Sequence, residues 1–512
     1  MMKKILLVLL LICVPLSLFA TGRSQSPTSA TGSLPLVEFD WYTRNYPQPD
    51  EAMVFQAASN YFVEKINAKV NFINMSYNDW FQRYPIMLNS GTAQGVLQYG
   101  GSGSTYVSDV NNGAYMPLDN LLDQYAPATK ALFNSTVWDA MKINGSIYGI
   151  PSLKDNAYIM GSHYNATMAE RLGINMSNIK WTNFVNLEPF FMDVIQKRKQ
   201  LMPQYGNHPL ITDIGAIYPF HFRVESFTGN TPLAVTNLPG IMDIAGYDTE
   251  TVFNLFETRE FLNFAKTMAR YAANDIINET ATGVDWDAAD GGFFWWNTWG
   301  VVIVAEHRIS DDFVSKIILP EKVWSDTSNF HSAGVAISSG FRNPERAMMA
   351  INLMNTDPYI ATLMRFGIEG QHYIYNSAGK KTMDGSPRNS NAAARGYLSW
   401  YGAFLGNVTI VDAPESHGGV DNAVGKMLVE YNRNASMGHM GFIFNTQSVE
   451  PIVAACNAVF NEYQDTIRLG MLPENQVEAY VAEFTQKLRA NGIQTIISEA
   501  QRQLNAWKAA RR

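Results

Sequence analysis

The sequence predicts an α/β protein with more than one domain. A chain of 512 residues is longer than a single compact core usually accommodates. Its composition, 46% hydrophobic and 16% charged, is typical of a globular protein and excludes an intrinsically disordered chain. Strand-like and helix-like segments alternate from residue 36 onward, and this alternation favours a mostly parallel sheet flanked by helices.

The alternation begins with a predicted strand over residues 36–42. A helix follows from Asp50, a residue type that caps helix N-termini, because apolar residues then recur on one face as far as Ile66. Residues 69–76 and 95–99 predict two further strands. The first part of the chain is therefore expected to form an α/β domain.

Candidate ligand-binding residues stand where the first and third strands end. They are Trp41, Tyr42, Tyr99, Gly100, Gly101 and Ser102. Because ligands of such sheets bind beyond the carboxyl ends of the strands, at least one of the first two aromatic rings should face a cleft. The glycines would let backbone N–H groups approach a ligand closely. The alternative is an ordinary turn between a strand and a helix.

A hairpin is predicted over residues 142–148, because Asn144-Gly145 between alternating residues favours a tight turn with positive φ. Residues 149–151 then leave the hairpin and cross to a second domain. More strands are expected within 292–305 and at 316–320 and 331–338. The C-terminus is predicted to be helical, with two apolar stripes separated by Asn491-Gly492.

The N-terminus predicts export. Residues 1–22 have a basic start, an apolar stretch and a small-residue cleavage site, as in a signal peptide, and residues 23–34 are a small, polar, flexible tether. The alternative is a lipoprotein acylated at Cys13. Cleavage would leave Cys456 as the remaining cysteine, so no intramolecular disulfide is expected. The protein should be periplasmic or associated with the cell envelope, and monomeric.

The residues give no positive support for catalysis. No two of the eight histidines have metal-binding spacing, and the phosphate-binding glycine motifs and the nucleophile-elbow motif are absent. A formal net charge of −8 argues against a general nucleic-acid binder. We therefore expect no metal, no cofactor, no nucleic-acid partner and no enzymatic activity.

An ordered series of segments resembles a known family, the extracellular solute-binding proteins, family 1, of bacterial ABC importers, and within it the longer LipO-like branch. The segments are NNGAYMPLDNLLDQYAP (111–127), KINGSIYGIPS (142–152), HYNATMAERLGI (163–174), FFWWNTWG (293–300), HSAGVAISSGFRNPERAMMAINLM (331–354), RFGIEGQHYIY (365–375) and GFIFNTQSVE (441–450). The chain departs from the family pattern at Gln98 and Gln371, where relatives often carry an acidic and a basic residue, and at Pro85.

The resemblance implies two discontinuous α/β lobes of the class II periplasmic-binding-protein type, joined by hinge strands, and a helical C-terminal module at about 440–512. Lobe I would comprise residues 35–152 and 330–369, and lobe II residues 153–329 and 370–512. The lobes would close over a small polar solute, a sugar or oligosaccharide being favoured, and deliver it to the permease subunits of the transporter.

The resemblance also places further site residues. Asn297 and Trp299 would offer an amide and a flat ring to a sugar. Glu369 and His372 would lie where the chain recrosses between the lobes, bonding sugar hydroxyls or tying the hinge together, and Trp400 is a further candidate. The alternatives to a sugar-binding transport protein are a secreted carbohydrate-active enzyme, and a peptide-binding or sensory receptor without a permease.

Overall fold

The computed structural model describes the greater part of the chain. The described residues are 34–100, 106–158, 160–176, 179, 185–205, 210–211, 221–229, 231–241, 243–277, 294–297, 313–318, 323–383, 385–389, 395–399, 406–414 and 423–511. The predicted signal peptide, with Cys13, and the predicted tether up to residue 33 lie outside them. No helix among the described residues has the length and apolar character needed to span a membrane.

The strands are short and distributed over the whole chain. They are β1 (Val37–Arg44), β2 (Ala68–Met75), β3 (Gly95–Gly100), β4 (Lys142–Ile143), β5 (Ser146–Ile147), β6 (Gly149–Pro151), β7 (Met160–Asn165), β8 (Val224–Ser226), β9 (Val235–Asn237), β10 (Phe294–Asn297), β11 (Phe313–Ile318), β12 (Trp324–Ser325), β13 (Ala333–Ile337), β14 (Ile374–Tyr375), β15 (Lys381–Thr382) and β16 (Ser436–Met437).

The helices lie between these strands and dominate the C-terminus. They are α1 (Glu51–Ile66), α2 (Tyr77–Gln82), α3 (Tyr84–Asn89), α4 (Tyr106–Asn111), α5 (Asp119–Tyr125), α6 (Pro127–Lys130), α7 (Ser135–Ala140), α8 (Ala166–Arg171), α9 (Glu188–Leu201), α10 (Arg259–Ala273), α11 (Thr327–His331), α12 (Pro344–Thr356), α13 (Pro358–Phe366), α14 (Ala423–Asn434), α15 (Glu450–Arg468), α16 (Glu474–Ala490) and α17 (Ile493–Ala509).

The first sheet has five strands in the order β2-β1-β3-β13-β6. Strand β1 runs parallel to β2 and β3, whereas β13 is antiparallel to both β3 and β6. The sheet is therefore mostly parallel, as predicted, with one reversed strand that arrives from a distant part of the sequence. The carboxyl ends of β1, β2 and β3 consequently meet at one edge.

The predicted hairpin is confirmed. Strands β4 and β5 pair antiparallel, and the two turn residues between them, Asn144 and Gly145, have φ values of 51° and 89°. Positive φ is costly for most residues, and asparagine and glycine tolerate it best. The chain then enters β6, which joins the first sheet beside β13.

Two large hydrophobic cores underlie the architecture. The first packs α1, α12 and α13 with the five-stranded sheet. The second contains α8, α9 and α10 together with the C-terminal helices α15, α16 and α17. In the second core Phe484 of α16 packs against Phe256, Phe261 and Tyr463, with ring centroids 5.0–6.4 Å apart. The predicted C-terminal helices are thus part of the second core.

The predicted lobe boundary at residue 370 does not coincide with the division between the cores. Buried side chains beyond it, including Tyr373, Tyr397 and Val408, belong to the first core. The second core resumes only at Phe442. The physical reason is that this segment is bonded to the edge of the first sheet, through contacts described below, so its apolar residues are buried there.

A third, small cluster and a set of side-chain hydrogen bonds lie apart from the two large cores. Strand β12 pairs with β16, and Trp324 packs with Tyr158 in a small cluster separate from both cores. Backbone carbonyls in this region accept side-chain amides: Asn329 donates to the carbonyl of Asn156 at 3.0 Å, and Asn432 donates to that of Lys154 at 2.7 Å. Hydrogen bonds and this small apolar cluster together hold these crossing segments.

Candidate ligand-binding site

The candidate site lies at the carboxyl edge of the first sheet, where β1, β2 and β3 end. This edge is where ligands of parallel sheets bind. The chain runs from β1 through Thr43-Arg44-Asn45-Tyr46, and Ser76-Tyr77 follow β2. Polar and aromatic side chains thus converge at one edge of the first lobe.

Gln98 of β3 links the strand ends. Its side chain is 1% exposed, and its Oε1 accepts the backbone N–H of Arg44 at 2.7 Å and the hydroxyl of Thr43 at 3.3 Å. Tyr84 of α3 donates its hydroxyl to the Gln98 carbonyl at 2.8 Å. These bonds fix the end of β1 relative to β3, and with it the start of the segment that carries Tyr46.

A tyrosine pair forms a flat surface at this edge. Tyr46, 61% exposed, stacks on Tyr77 with ring centroids 4.7 Å apart and an interplanar angle of 29°. The Arg44 guanidinium carbon lies 4.7 Å from the Tyr77 ring centroid and 5.7 Å from that of the buried Trp80. Burial lowers the pKa of Arg44. An exposed ring supported from below can stack on the apolar face of a sugar.

Residues 397–399, which follow the predicted lobe boundary at residue 370, lie against the same edge. Asn45 donates its side-chain N–H to the hydroxyl of Ser399 at 3.1 Å, and the backbone N–H of Leu398 donates to Gln48 Oε1 at 2.5 Å. Arg365 donates to the carbonyl of Ser399. The strand end and this distant segment therefore form a single polar wall.

His372 acts in the same connection, not toward a ligand. Its side chain is fully buried, and its Nδ1 accepts the backbone N–H of Ile368 at 3.0 Å. The opposite Nε2–H donates to Asp50 Oδ2 at 3.3 Å, while Arg388 donates to Asp50 Oδ1 at 2.6 Å. Burial lowers the pKa of His372 despite the nearby carboxylate, so the ring is neutral at pH 7. These contacts tie the segment around His372 to the start of the first helix, within the first core.

The same contacts explain the start of α1. Asp50 occupies the N-cap position, as predicted, but its side chain accepts no hydrogen bond from the first turn. Its carboxylate serves Arg388 and His372 instead. Glu369, the other candidate in this segment, is exposed next to the turn that His372 anchors.

The expectation that Trp41 or Tyr42 faces the cleft is corrected by their burial. Trp41 is 1% exposed and stacks against Phe62 and Phe72, with centroids 6.5 and 5.7 Å away. Tyr42 is also buried and packs beside Tyr84. Both faces of this sheet are covered by helices, so alternate residues are buried on either side. Strand β1 continues two residues further than predicted, and the exposed edge begins only after it.

Tyr99 and Gly100 are likewise structural. The Tyr99 ring is fully buried against Tyr106, with centroids 4.8 Å apart. Gly100 has a φ of 88°, and a Cβ at this position would lie 2.0 Å from the Ser332 carbonyl oxygen. The glycine is required because the chain leading into β13 passes too close for any side chain, so close backbone approach serves the sheet and not a ligand.

The remaining candidates cannot be placed in the same way. Gly101, Ser102, Trp299 and Trp400 lie outside the described residues. Asn297 is the last residue of β10, where its backbone pairs with Gly161 of β7, and its side chain lies outside the description. Their roles stay predictions.

Sequence reasoning missed Arg44, Asn45, Tyr46 and Tyr77 as site residues. The available signal was the run WYTRNY, in which polar residues directly follow a buried strand. In the sequence, Gln98 stands out only as a departure from the family pattern. Its side chain organises the edge through hydrogen bonds to β1.

A buried acidic cluster lies where the cores connect. Glu225 accepts both the backbone N–H of His439, at 2.9 Å to each oxygen, and its ring Nδ1–H at 2.7 Å. Asp326 accepts the hydroxyl of Ser328 at 2.6 Å and the N–H of Asn329 at 3.2 Å. Burial, and then the negative charge of Glu225, raise the pKa of Asp326 to about 6. Among the described residues no group of three or more His, Cys, Asp or Glu is arranged to hold a metal ion.

Comparison with known proteins confirms the predicted resemblance. Residues 439–509 match a family model described as a domain of unknown function, DUF3502. A protein of Streptococcus pneumoniae serotype 4, named carbohydrate ABC transporter substrate-binding protein, is 23% identical over 476 residues, which cover 90% of this chain and 89% of the relative.

Solved structures show the same fold. The N-glycan transport solute-binding protein NgtS of Streptococcus pneumoniae aligns with a TM-score of 0.76 at 20% identity, covering 93% of this chain and 100% of that protein. A solute-binding protein of Bifidobacterium longum infantis, described as HMO binding and associated with an ABC transporter, aligns with a TM-score of 0.59 at 13% identity, covering 93% of this chain and 99% of that protein. The chain therefore has the two-lobe α/β fold of solute-binding proteins.

Proposed function

We propose that this protein is the substrate-binding component of an ABC importer and that it captures an oligosaccharide between its lobes. The observation that carries the proposal is similarity along nearly the entire chain, in sequence and in fold, to carbohydrate substrate-binding proteins. The match of the C-terminal helices to a family model adds to it, since these helices are integrated into the second core. The protein would be exported, monomeric and associated with the cell envelope, with permease subunits as partners.

The edge of the first sheet suits a carbohydrate chemically. A sugar has apolar C–H faces and a rim of hydroxyl groups, so it is recognised by an aromatic ring together with planar polar side chains. Tyr46 on Tyr77 offers the ring, and the Arg44 guanidinium beside Tyr77 offers polar donors, while Asn45 holds the wall together through its bonds to Ser399 and Tyr46. On the opposite lobe we propose Asn297 and Trp299.

The loop residues Gly101 and Ser102, together with Glu369 and Trp400, remain proposed members of the ligand cleft. Trp41, Tyr42, Tyr99, Gly100 and His372 are assigned to the framework that holds the site, because each is buried against the protein itself.

The proposed mechanism is closure without chemistry. Two lobes that each have a hydrophobic core of their own can move relative to each other as a hinge. A ligand that touches both lobes binds the closed form better, and this difference in affinity shifts the population towards closure. The closed, loaded form would then be the one that the permease accepts.

The first test is mass spectrometry of ligand released from freshly purified protein, followed by calorimetric titration with the oligosaccharides found. We expect 1:1 binding, a smaller radius of gyration in solution scattering with ligand, and intact ligand recovered after incubation. Appearance of hydrolysis products would favour a carbohydrate-active enzyme, and a released peptide would favour the peptide-receptor alternative.

The second test uses a matched pair of tyrosines. Tyr46→Ala removes the proposed stacking ring and should weaken binding by roughly 1–3 kcal/mol, by analogy with ring stacking on nucleic-acid bases. Tyr359→Ala removes an equally exposed tyrosine that packs on Tyr61 elsewhere in the first lobe, with centroids 5.0 Å apart, and should leave affinity unchanged. Equal affinities of the two variants would remove Tyr46 from the site.

A further inference from the structure

Arg44 is a buried positive charge at the candidate site. It is the last residue of β1, only 5% exposed. Its guanidinium lies against the rings of Tyr77 and Trp80, 4.7 and 5.7 Å from their centroids. The aromatic faces hold the plane of the guanidinium in place, at the edge where Tyr46 is exposed.

This charge has no counterpart in the part of the chain that the structure describes. Neither Nε nor Nη1 of Arg44 has a hydrogen-bond partner. No described carboxylate forms an ion pair with it, and the neighbouring groups that act on its charge are Tyr77 and Tyr46. A buried charge without a partner is strongly unfavourable, so its presence requires an explanation.

The polar side chain that bonds the Arg44 main chain does not supply the missing partner. Gln98 is neutral, and its Oε1 is already engaged by the backbone N–H of Arg44 and the hydroxyl of Thr43. These two bonds hold the main chain at the end of β1 while the guanidinium remains unsatisfied. The strand end is therefore fixed in a position that keeps a positive, unpaired donor group beside the exposed tyrosine.

A guanidinium presents donors in a rigid planar fork that matches an oxyanion. A sugar hydroxyl would satisfy donors but leave the charge uncompensated, whereas a carboxylate or sulfate would satisfy both. We propose that Arg44 binds the acidic group of the ligand, and that the substrate class is an anionic oligosaccharide bearing a carboxylate or a sulfate ester. This inference rests on the proposed function and specifies its substrate.

The test offers the purified full-length protein a mixture of neutral, uronate-bearing, sialylated and sulfated oligosaccharides and identifies what is retained by native mass spectrometry. We expect the retained members to be acidic. Methyl esterification of the mixture abolishes retention if the recognised group is a carboxylate, and desulfation abolishes it if the group is a sulfate ester. Inorganic sulfate and phosphate, added alone, should not compete at the same concentration, because they lack the sugar that stacks on Tyr46.

Two variants separate this role from a structural one. Arg44→Gln should lower affinity for the retained acidic oligosaccharide by at least about thirtyfold, as expected for loss of a buried charge pair, while the ligand-free protein melts at an equal or higher temperature. Arg259→Gln removes an exposed arginine that pairs with Glu260 on α10, in the second core, and should leave affinity unchanged. It controls for a general loss of positive charge.

The outcomes distinguish the two levels of the hypothesis. Retention of neutral oligosaccharides, with equal affinity in wild type and Arg44→Gln, overturns the anionic substrate but leaves the transport function standing. Retention of no oligosaccharide overturns both. A large fall in the melting temperature of ligand-free Arg44→Gln would show that Arg44 is structural, and would also overturn the inference.

Discussion

An arginine at the carboxyl edge of the first sheet and an arginine at the junction of α9, α10 and α16 differ in their hydrogen-bond partners. On the second core, Arg270 of α10 donates to both oxygens of Glu188 on α9, at 2.6 and 2.7 Å, and to Glu474 on α16 at 2.7 Å. At the first edge, Arg44 is more deeply buried, yet its Nε and Nη1 have no partner among the described residues.

Under the proposal for Arg44, this difference separates a structural arginine from a ligand-binding one. A cation that is paired from two neighbouring helices is explained by the fold itself, because it joins α9, α10 and α16. A buried cation with unmet donors requires a further explanation, and for Arg44 the proposed explanation is an acidic ligand, because Arg44 lies at the edge where Tyr46 is exposed. Burial alone would have ranked the two residues the wrong way round.

The largest expected effect concerns the core beneath the site. Trp41→Ala should lower the free energy of unfolding by about 3–5 kcal/mol, because it removes a large buried ring that packs on Phe62 and Phe72. Ligand affinity per folded molecule should stay unchanged. Denaturant unfolding and calorimetry measure the two quantities. A loss of affinity without a loss of stability would show that Trp41 contacts the ligand and is not a core residue.

The next effect is a pH dependence at the connection between the cores. The pKa of Asp326 is raised to about 6, so between pH 4 and 6 the folded state holds a proton that the unfolded state releases, and stability falls as the pH rises through this window. Relative to Asp326→Asn, which keeps an acceptor without the charge, the wild type should lose roughly 1–3 kcal/mol between pH 4 and 7. If the free energies of unfolding of the two proteins changed equally with pH over this range, the raised pKa of Asp326 would be contradicted.

The third effect tests the comparison of the arginines directly. Arg270→Ala should destabilise the protein by about 1–3 kcal/mol, because it breaks charge-assisted hydrogen bonds that join three helices. Arg44→Met should leave the ligand-free protein unchanged or more stable, since it removes an uncompensated charge. Urea unfolding of both variants without ligand provides the measurement. Equal destabilisation would break the distinction between them.

The sequence predicted the order of elements well because periodicity and turn residues are local signals. The strand at 69–76, the Asn144-Gly145 turn and the helices on either side of Asn491-Gly492 all have counterparts in the structure. The direction that each side chain takes in a strand covered on both faces is not local. Trp41 and Tyr42 could not be distinguished from cleft residues, because alternation carries no signal when both faces are buried.

The contacts that build the candidate site could not be predicted from the sequence, because they join residues that are far apart along the chain. His372 and Asp50 are 322 positions apart and bond only because the segment after α13 returns to the start of α1. The same return buries Tyr373 and Tyr397 in the first core, which moved the division between the cores beyond the predicted residue 370. Arg44 drew no attention in the sequence because a charged residue after a strand is usually exposed, and its burial arises from Tyr77 and Trp80 on a separate helix.

The smallest expected effect concerns how that helix is held. Ser76 caps α2 by accepting the N–H of Asp79 at 3.2 Å, and Asn134 caps α7 in the same way through the N–H of Val137 at 3.0 Å. Loss of either cap should cost about 1 kcal/mol of stability. The first residue of α2 is Tyr77, whose ring stacks on Tyr46 and lies beside Arg44. Fraying of the first turn of α2 should therefore also disorder the site, whereas fraying of α7 should not.

Ser76→Ala should therefore weaken ligand binding several-fold in calorimetric titration, whereas Asn134→Ala should lose similar stability with no change in affinity. The pair matters because a general loosening of the first lobe would affect both variants alike. Equal losses of affinity would show that binding follows the stability of the lobe as a whole. Loss in Ser76→Ala alone would show that the edge at β1 and α2 must be held rigid for the tyrosine pair and Arg44 to receive a ligand.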